Sequence, residues 1–110
     1  METFVKGEVV VLPFPFSDLS SAKKRPALVI SVFEGHDLLL CQITSQIGLD
    51  TYSVKLNDSD FKSGNLNLPS FIRGNKLFTA DKSLIQYKIG SLKDKKLNAV
   101  IDFICDIIIK

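Results

Sequence analysis

The chain has 110 residues, enough for one domain, expected over residues 1–110, and too few for two. Its 45% apolar content, with eight Phe and no Trp, is that of a folded globule and excludes a disordered tail. A formal charge of +2, from 14 basic and 12 acidic side chains, excludes nucleic-acid binding by bulk charge, so any such affinity must come from where the cations sit.

Met1 to Lys6 is short and mixed, unlike a signal peptide, and no terminal apolar run approaches the ~20 residues of a membrane span. A cytoplasmic protein with no membrane partner is expected. After Gly7, Glu8 to Leu12 is a β-branched run that reads as a buried strand. Pro13-Phe14-Pro15-Phe16 lacks ladder donors at two positions, so a loop is expected to open there and run through Ser17-Asp18 to Lys23-Lys24. Arg25-Pro26 starts a second strand, Ala27 to Val32, and Glu34-Gly35-His36-Asp37 is a hairpin turn.

A third strand, Leu38 to Ile43, ends in Thr44-Ser45-Gln46. Tyr52, Val54 and Leu56 alternate with Thr51, Ser53 and Lys55, the period of a half-buried strand. Asn57 to Pro69 reads as a polar connection with one helical turn near Asp58 to Phe61. Ser70 to Asn75 and Leu77 to Thr79 are two strand pieces around Gly74, where a bulge or bend is expected, and Tyr87 to Leu92 is a last short strand.

Leu97, Val100, Ile101, Ile104, Cys105 and Ile108 then fall at helical spacing, and Ser91 with Asp94 matches a capping-box start. Phe103, Ile107 and Ile109 lie off that stripe, more apolar surface than a solvent-facing helix needs, so another chain is expected to cover part of the helix. Cys41 and Cys105 sit in apolar runs without C-x-x-C spacing and are expected to be reduced and buried. Five to seven short strands and one helix make a mainly β (small α+β) protein, a bent antiparallel sheet or partial barrel.

Little conventional catalytic equipment is present. The only histidine, His36, lies in a turn and reads as solvated, which removes any paired-histidine acid–base route. Asp58 and Asp60 have no further ligand spacing, so no metal site is expected. No phosphate loop, Ser/His/Asp set or Cys/His set is present. Arg25 follows Lys23 and Lys24, a cationic cluster at the head of a strand, and Arg73 is the only other arginine. A guanidinium grips phosphate with a planar fork and stays charged at any physiological pH. Taken singly, these arginines and Thr44-Ser45-Gln46 read as ordinary strand-end and turn chemistry.

The ordered segments together resemble one family. They are Gly7-Glu8-Val9-Val10, the loop with Pro13 and Phe16, and Lys24-Arg25-Pro26-Ala27-Leu28-Val29-Ile30-Ser31. Ile43-Thr44-Ser45-Gln46-Ile47 follows, then Leu68-Pro69-Ser70-Phe71-Ile72-Arg73, Lys76-Leu77-Phe78-Thr79 with Asp81-Lys82, and Ile89-Gly90-Ser91-Leu92 before the helix. In that order and spacing they resemble the PemK/MazF toxins of type II toxin–antitoxin systems across nearly the whole chain.

The resemblance implies an SH3-like, CcdB/MazF-type partial barrel with a C-terminal helix, acting as a homodimer. It implies a sequence-specific, metal-independent endoribonuclease, needing no cofactor, that cuts single-stranded messenger RNA and is inhibited by a cognate antitoxin. The RNA's own 2′-hydroxyl would attack, leaving a cyclic phosphate and a 5′-hydroxyl. Carried over by position, Arg25 and Thr44 are the expected catalytic pair. Lys23, Lys24, Phe16, Ser17, Ser45, Gln46, Arg73 and Asn75 are the expected RNA contacts. Phe14 and Phe16 suit base stacking, core or dimer contacts alike.

Two departures stand out. One branch places an aspartate two residues after the arginine matching Arg73; here it is Asn75, which is no general base at neutral pH. Many members carry arginine before the threonine matching Thr79; here it is Phe78. Both favour Arg25 with Thr44 over an Arg73-centred arrangement, and leave as alternatives a weak or inactive relative that binds RNA or protein. A gyrase-poisoning relative is the remoter alternative, because its C-terminal Trp-Gly-Ile is absent and the chain ends Ile108-Ile109-Lys110.

Overall fold

The structure, a computed structural model, describes residues 3–14, 23–46 and 51–110. In chain order the strands are β1 (Glu8–Phe14), β2 (Lys23–Val32), β3 (Asp37–Thr44), β4 (Ser53–Leu56), β5 (Phe61–Ser63), β6 (Ser70–Asp81) and β7 (Tyr87–Leu92), followed by helix α1 (Asp94–Ile109). The strands form one antiparallel sheet in the order β4-β6-β3-β2-β1-β7-β5, curled into a half-barrel. Among the described residues no helix is long and apolar enough to cross a membrane.

The sheet is apolar on both sides, which explains why its central strands read as unbroken apolar runs. Along β3, Leu39, Cys41 and Ile43 join the interior core, while Leu38 and Leu40 join a second core on the outer face. Along β2, Leu28 and Ile30 point inward, Ala27 and Val29 outward. The interior face is closed by Leu97, Val100 and Ile104 of α1 together with Leu56 and Phe61. The outer face is closed at one end by Phe4, Phe78 and Ile85.

Several expectations are corrected. β1 does not stop at Leu12 but continues to Phe14, with Pro13 paired to Lys24. The proline is tolerated because β7 pairs β1 only as far as Val11, so the end of β1 is locally an edge. By the same extension β2 begins at Lys23, not Arg25. β5 falls within the stretch expected to be a loop, after a 3-10 turn at Asp58–Asp60. Ser91 does not cap the helix: it lies in β7, Leu92 is buried with its N–H on the Gly7 carbonyl at 2.8 Å, and α1 starts after Lys93. Sheet pairing and core burial outweigh one capping bond there.

The two pieces around Gly74 are one strand with a bulge, since two steps along β3, from Cys41 to Ile43, match five along β6, from Leu77 to Ile72. Gly74 is buried under α1, where a Cβ would come within 2.9 Å of both Ile107 and Phe103. Those two side chains, assigned from sequence to a face covered by another chain, thus pack largely on β6, leaving Ile108 and Ile109 exposed. Cys105, expected to be buried, is exposed on α1; Cys41 is fully buried and both are free thiols.

Candidate functional site

Arg25 and Thr44 are brought together by strand register. β2 and β3 pair Leu28 with Cys41 and Ala27 with Gln42. The pairing ends there; carried two residues further on each strand, the same register would bring Arg25 towards Thr44, and the two residues line one cavity. Directly opposed residues share a face. Alternation puts Arg25 on the outer face with Ala27 and Val29, and Thr44 there with Leu40. The outer face is therefore apolar at the Leu38 end of β3 and polar at the Thr44 end.

The polar end extends past this pair. Thr44 faces Phe71 on β6, and Phe71 in turn faces Lys55 on β4. Arg73, two residues beyond Phe71, faces Ser53. Since Ile72 between them is in the interior core, Phe71 and Arg73 turn to the outer face. The result is a track across four strands carrying Arg25, Arg73 and Lys55, hydroxyls at Thr44 and Ser53, the Gln42 amide and one aromatic ring. Arg25, Thr44 and Arg73 are half-buried, so their charges and hydroxyl act in a medium less polarisable than water.

The Thr44 hydroxyl is oriented by a local bond: the Gln46 N–H donates to its Oγ1 at 3.1 Å, which leaves its own O–H to serve as a donor. Lys23, Lys24, Ser45 and Gln46 are exposed around the pair. Lys24, Arg25, Thr44 and Ser45 line a cavity of about 290 Å³ at this end of the sheet. Asn75 lies apart, in a cavity of about 600 Å³ with Tyr52, Phe103 and Asp106 between the start of β4 and the end of α1. Phe16 and Ser17 lie outside the described residues, as does the side chain of Phe14.

The other titratable candidates are placed elsewhere. His36 is exposed in the β2–β3 turn, at the opposite end of those strands from Arg25 and Thr44, and its carbonyl accepts the Lys82 N–H at 2.7 Å. Cys41 donates its S–H to the Arg73 carbonyl at 2.9 Å, and burial pushes its pKa up to about 12, so it is a structural thiol and not a nucleophile. Among the described residues no group of three His, Cys, Asp or Glu is placed to hold a metal. Sequence reading missed Gln42, Ser53, Lys55 and Phe71; Ser53 and Lys55 had a signal, their alternation with Val54 and Leu56, and even that does not say which strand lies beside them.

A small half-barrel whose one sheet end carries arginines and hydroxyls defines a class of compact proteins suited to gripping an anion. The chain belongs to the PemK-like, MazF-like toxin family of type II toxin–antitoxin systems, whose profile matches residues 5–108. Among solved structures it is similar to an endoribonuclease from a mycobacterial species in complex with its cognate antitoxin, with TM-score 0.72, 16% identity, and 94% of this chain and 93% of that one covered. A mycobacterial endoribonuclease without that partner matches with TM-score 0.72 and 16% identity over 96% and 91% of the two chains. The Mycobacterium tuberculosis toxin MazF-mt6 matches with TM-score 0.68 and 17% identity over 90% and 93%. At these identities the likeness is one of fold. No curated protein matches the sequence significantly.

Proposed function

We propose that this toxin is a metal-independent endoribonuclease that cuts single-stranded messenger RNA at preferred sequences, works as a homodimer and is silenced by a cognate antitoxin. The observation that supports the reading is that Arg25 and Thr44 line one cavity, at the head of a cationic track. The similar mycobacterial endoribonuclease bound to its antitoxin supports the partner. The exposed Ile108 and Ile109 at the end of α1 support a second copy.

In this mechanism the 2′-oxygen attacks the adjacent phosphorus and the P–O5′ bond breaks. The proton of the 2′-hydroxyl ends on the departing 5′-oxygen, leaving a cyclic phosphate and a 5′-hydroxyl. Arg25 stabilises the charge that builds on the phosphorane oxygens, and the Thr44 O–H donates to one of them. Lys23, Lys24, Ser45, Gln46 and Arg73 hold the flanking backbone, and Phe16 and Ser17 contact the RNA as well. Asn75 contacts RNA further along, and its lack of basicity costs nothing to a mechanism centred on Arg25.

The test is cleavage of a long unstructured RNA in chelator-containing buffer, with the ends mapped. Arg25→Ala is expected to lower the rate by ~10²–10³-fold while circular dichroism and melting stay those of the wild type. A wild-type rate for Arg25→Ala would show the role is misassigned.

A further inference from the structure

On the interior side of the same sheet end, the cavity behind Arg25 and Thr44 is the mouth of the half-barrel. Its floor is apolar, formed by Val11, Ile43 and Ile89, the last two belonging to or packed on the interior core. Its rim differs from the floor. Leu68 is 63% exposed and Tyr87 51% exposed, two large apolar side chains left in water at one opening. A single exposed apolar residue needs no explanation, but two at the mouth of one cavity do.

Both walls are held in place. Tyr87 pairs with Val11 on β1, and the neighbouring Gln86 N–H donates to the Val11 carbonyl at 2.8 Å. The Ser70 hydroxyl donates to the Leu68 carbonyl at 2.9 Å, and the Leu68 N–H donates to the Leu66 carbonyl. Asn67 between them adopts a left-handed φ of 54° with its N–H on the Asn65 Oδ1 at 3.1 Å, a conformation asparagine tolerates. A ligand entering here would order little, which favours binding.

Charge decides the class of ligand. Lys24, which alternation turns to the interior face, and Arg25, rooted on the outer face at the rim, are in the lining, and no acidic side chain among the described residues joins them. Four other cavities each carry an aspartate: Asp58, Asp60, Asp37 and Asp106. The cation-only mouth suits a polyanion, yet its apolar floor would desolvate a phosphate at high cost. A flat uncharged ring with polar edges, carried on a phosphate backbone, satisfies both. The volume of about 290 Å³ is at the small end of the ~300–1,000 Å³ of ligand pockets, room for one base and not several.

We propose that this cavity receives one unpaired base of the RNA, from a nucleotide adjoining the phosphate held by Arg25 and Thr44, and that Tyr87 and Leu68 are the walls that select it. This rests on the endoribonuclease reading above. Tyr87 stacks on the base, and Lys24 meets the phosphate beside it.

The experiment is equilibrium binding of fluorescein-labelled decamers of rA, rC, rG and rU in chelator-containing buffer, alongside cleavage mapping on a mixed-sequence RNA. Wild type is expected to rank the four decamers. Tyr87→Ala and Leu68→Ala are each expected to weaken the preferred one by ~5–100-fold and flatten the ranking, while Tyr87→Phe keeps both. In the mapped cuts, Tyr87→Ala should lose base preference at one position next to the cleaved bond. If both alanine variants bind and rank all four decamers as wild type does, the base pocket is wrong. Ranking that Tyr87→Ala flattens, with no cleavage by wild type, would overturn the nuclease and keep the pocket. No binding of any decamer by wild type overturns both.

Discussion

Cys41 and Cys105 show how far one residue type can be read without its surroundings. Both sit in apolar runs, but the run around Cys41 is a strand buried on both faces, whereas Cys105 lies on the solvent side of a helix. Cys41 has no accessible surface and its pKa is raised from 9.0 to about 12 because burial disfavours the thiolate. With an alkylating reagent at pH 8, one thiol per chain, Cys105, should react in the native protein, and Cys41 only after denaturant is added; fast native labelling of Cys41 in a peptide map would contradict the packing. The raised value also sets a pH window. The unfolded thiol ionises near 9.0 and the folded one near 12, so the stability from a neutral Cys41 is complete below about 9 and drains away as pH rises through about 12. Arg25 was legible at this scale because its triplet of cations heads a strand. Gln42, Lys55 and Phe71 were not, because nothing local says that their faces meet.

At the scale of elements, the long strands were readable because burial on both faces makes each a continuous apolar run, and Gly74 marked the bulge because α1 needs a residue without a side chain there. β5 was unreadable. Phe61–Ser63 has one apolar residue, and its pairing with β7 depends on a reciprocal close approach: a Cβ on Gly64 would strike the Ile89 carbonyl, and one on Gly90 the Ser63 carbonyl. The signal is two glycines far apart in sequence, which acquire meaning only once the strands are adjacent. Gly90→Ala should therefore detach the β5 edge, because the obstructing atoms are backbone and cannot rotate away. A loss of ~1–3 kcal/mol or more in denaturant unfolding is expected, with amide exchange accelerating first at Phe61 to Ser63. Unchanged exchange there would mean the two backbones are less tightly opposed. The capping-box reading of Ser91 failed for the complementary reason: a local motif was outvoted by a strand that needed the same residue.

Across the whole molecule the small net charge of +2 conceals both ion-paired lysines and a local run of cations unpaired among the described residues. Away from the candidate site three lysines are matched: Lys88 pairs with the nearly buried Glu8 at 3.1 Å, Lys96 with Asp60 at 3.4 Å and Lys62 with Asp94 at 3.8 Å. Lys23, Lys24 and Arg25 form no ion pair with another described residue. Unmatched cations gathered at one sheet end can neutralise RNA phosphates and release their counterions, whereas matched ones cannot without first losing a partner. For single strands each phosphate so neutralised steepens the fall of log affinity against log salt by ~0.7. The slope measured with a single-stranded RNA should therefore drop by about 0.7 in Lys24→Ala, and by a similar amount in Arg25→Ala. Lys62→Ala, which removes an equal charge from the far edge of the sheet, should leave it unchanged. Equal flattening by all three would mean that the RNA responds only to total charge, and the geometric case for a site at Arg25 and Thr44 would lose its footing.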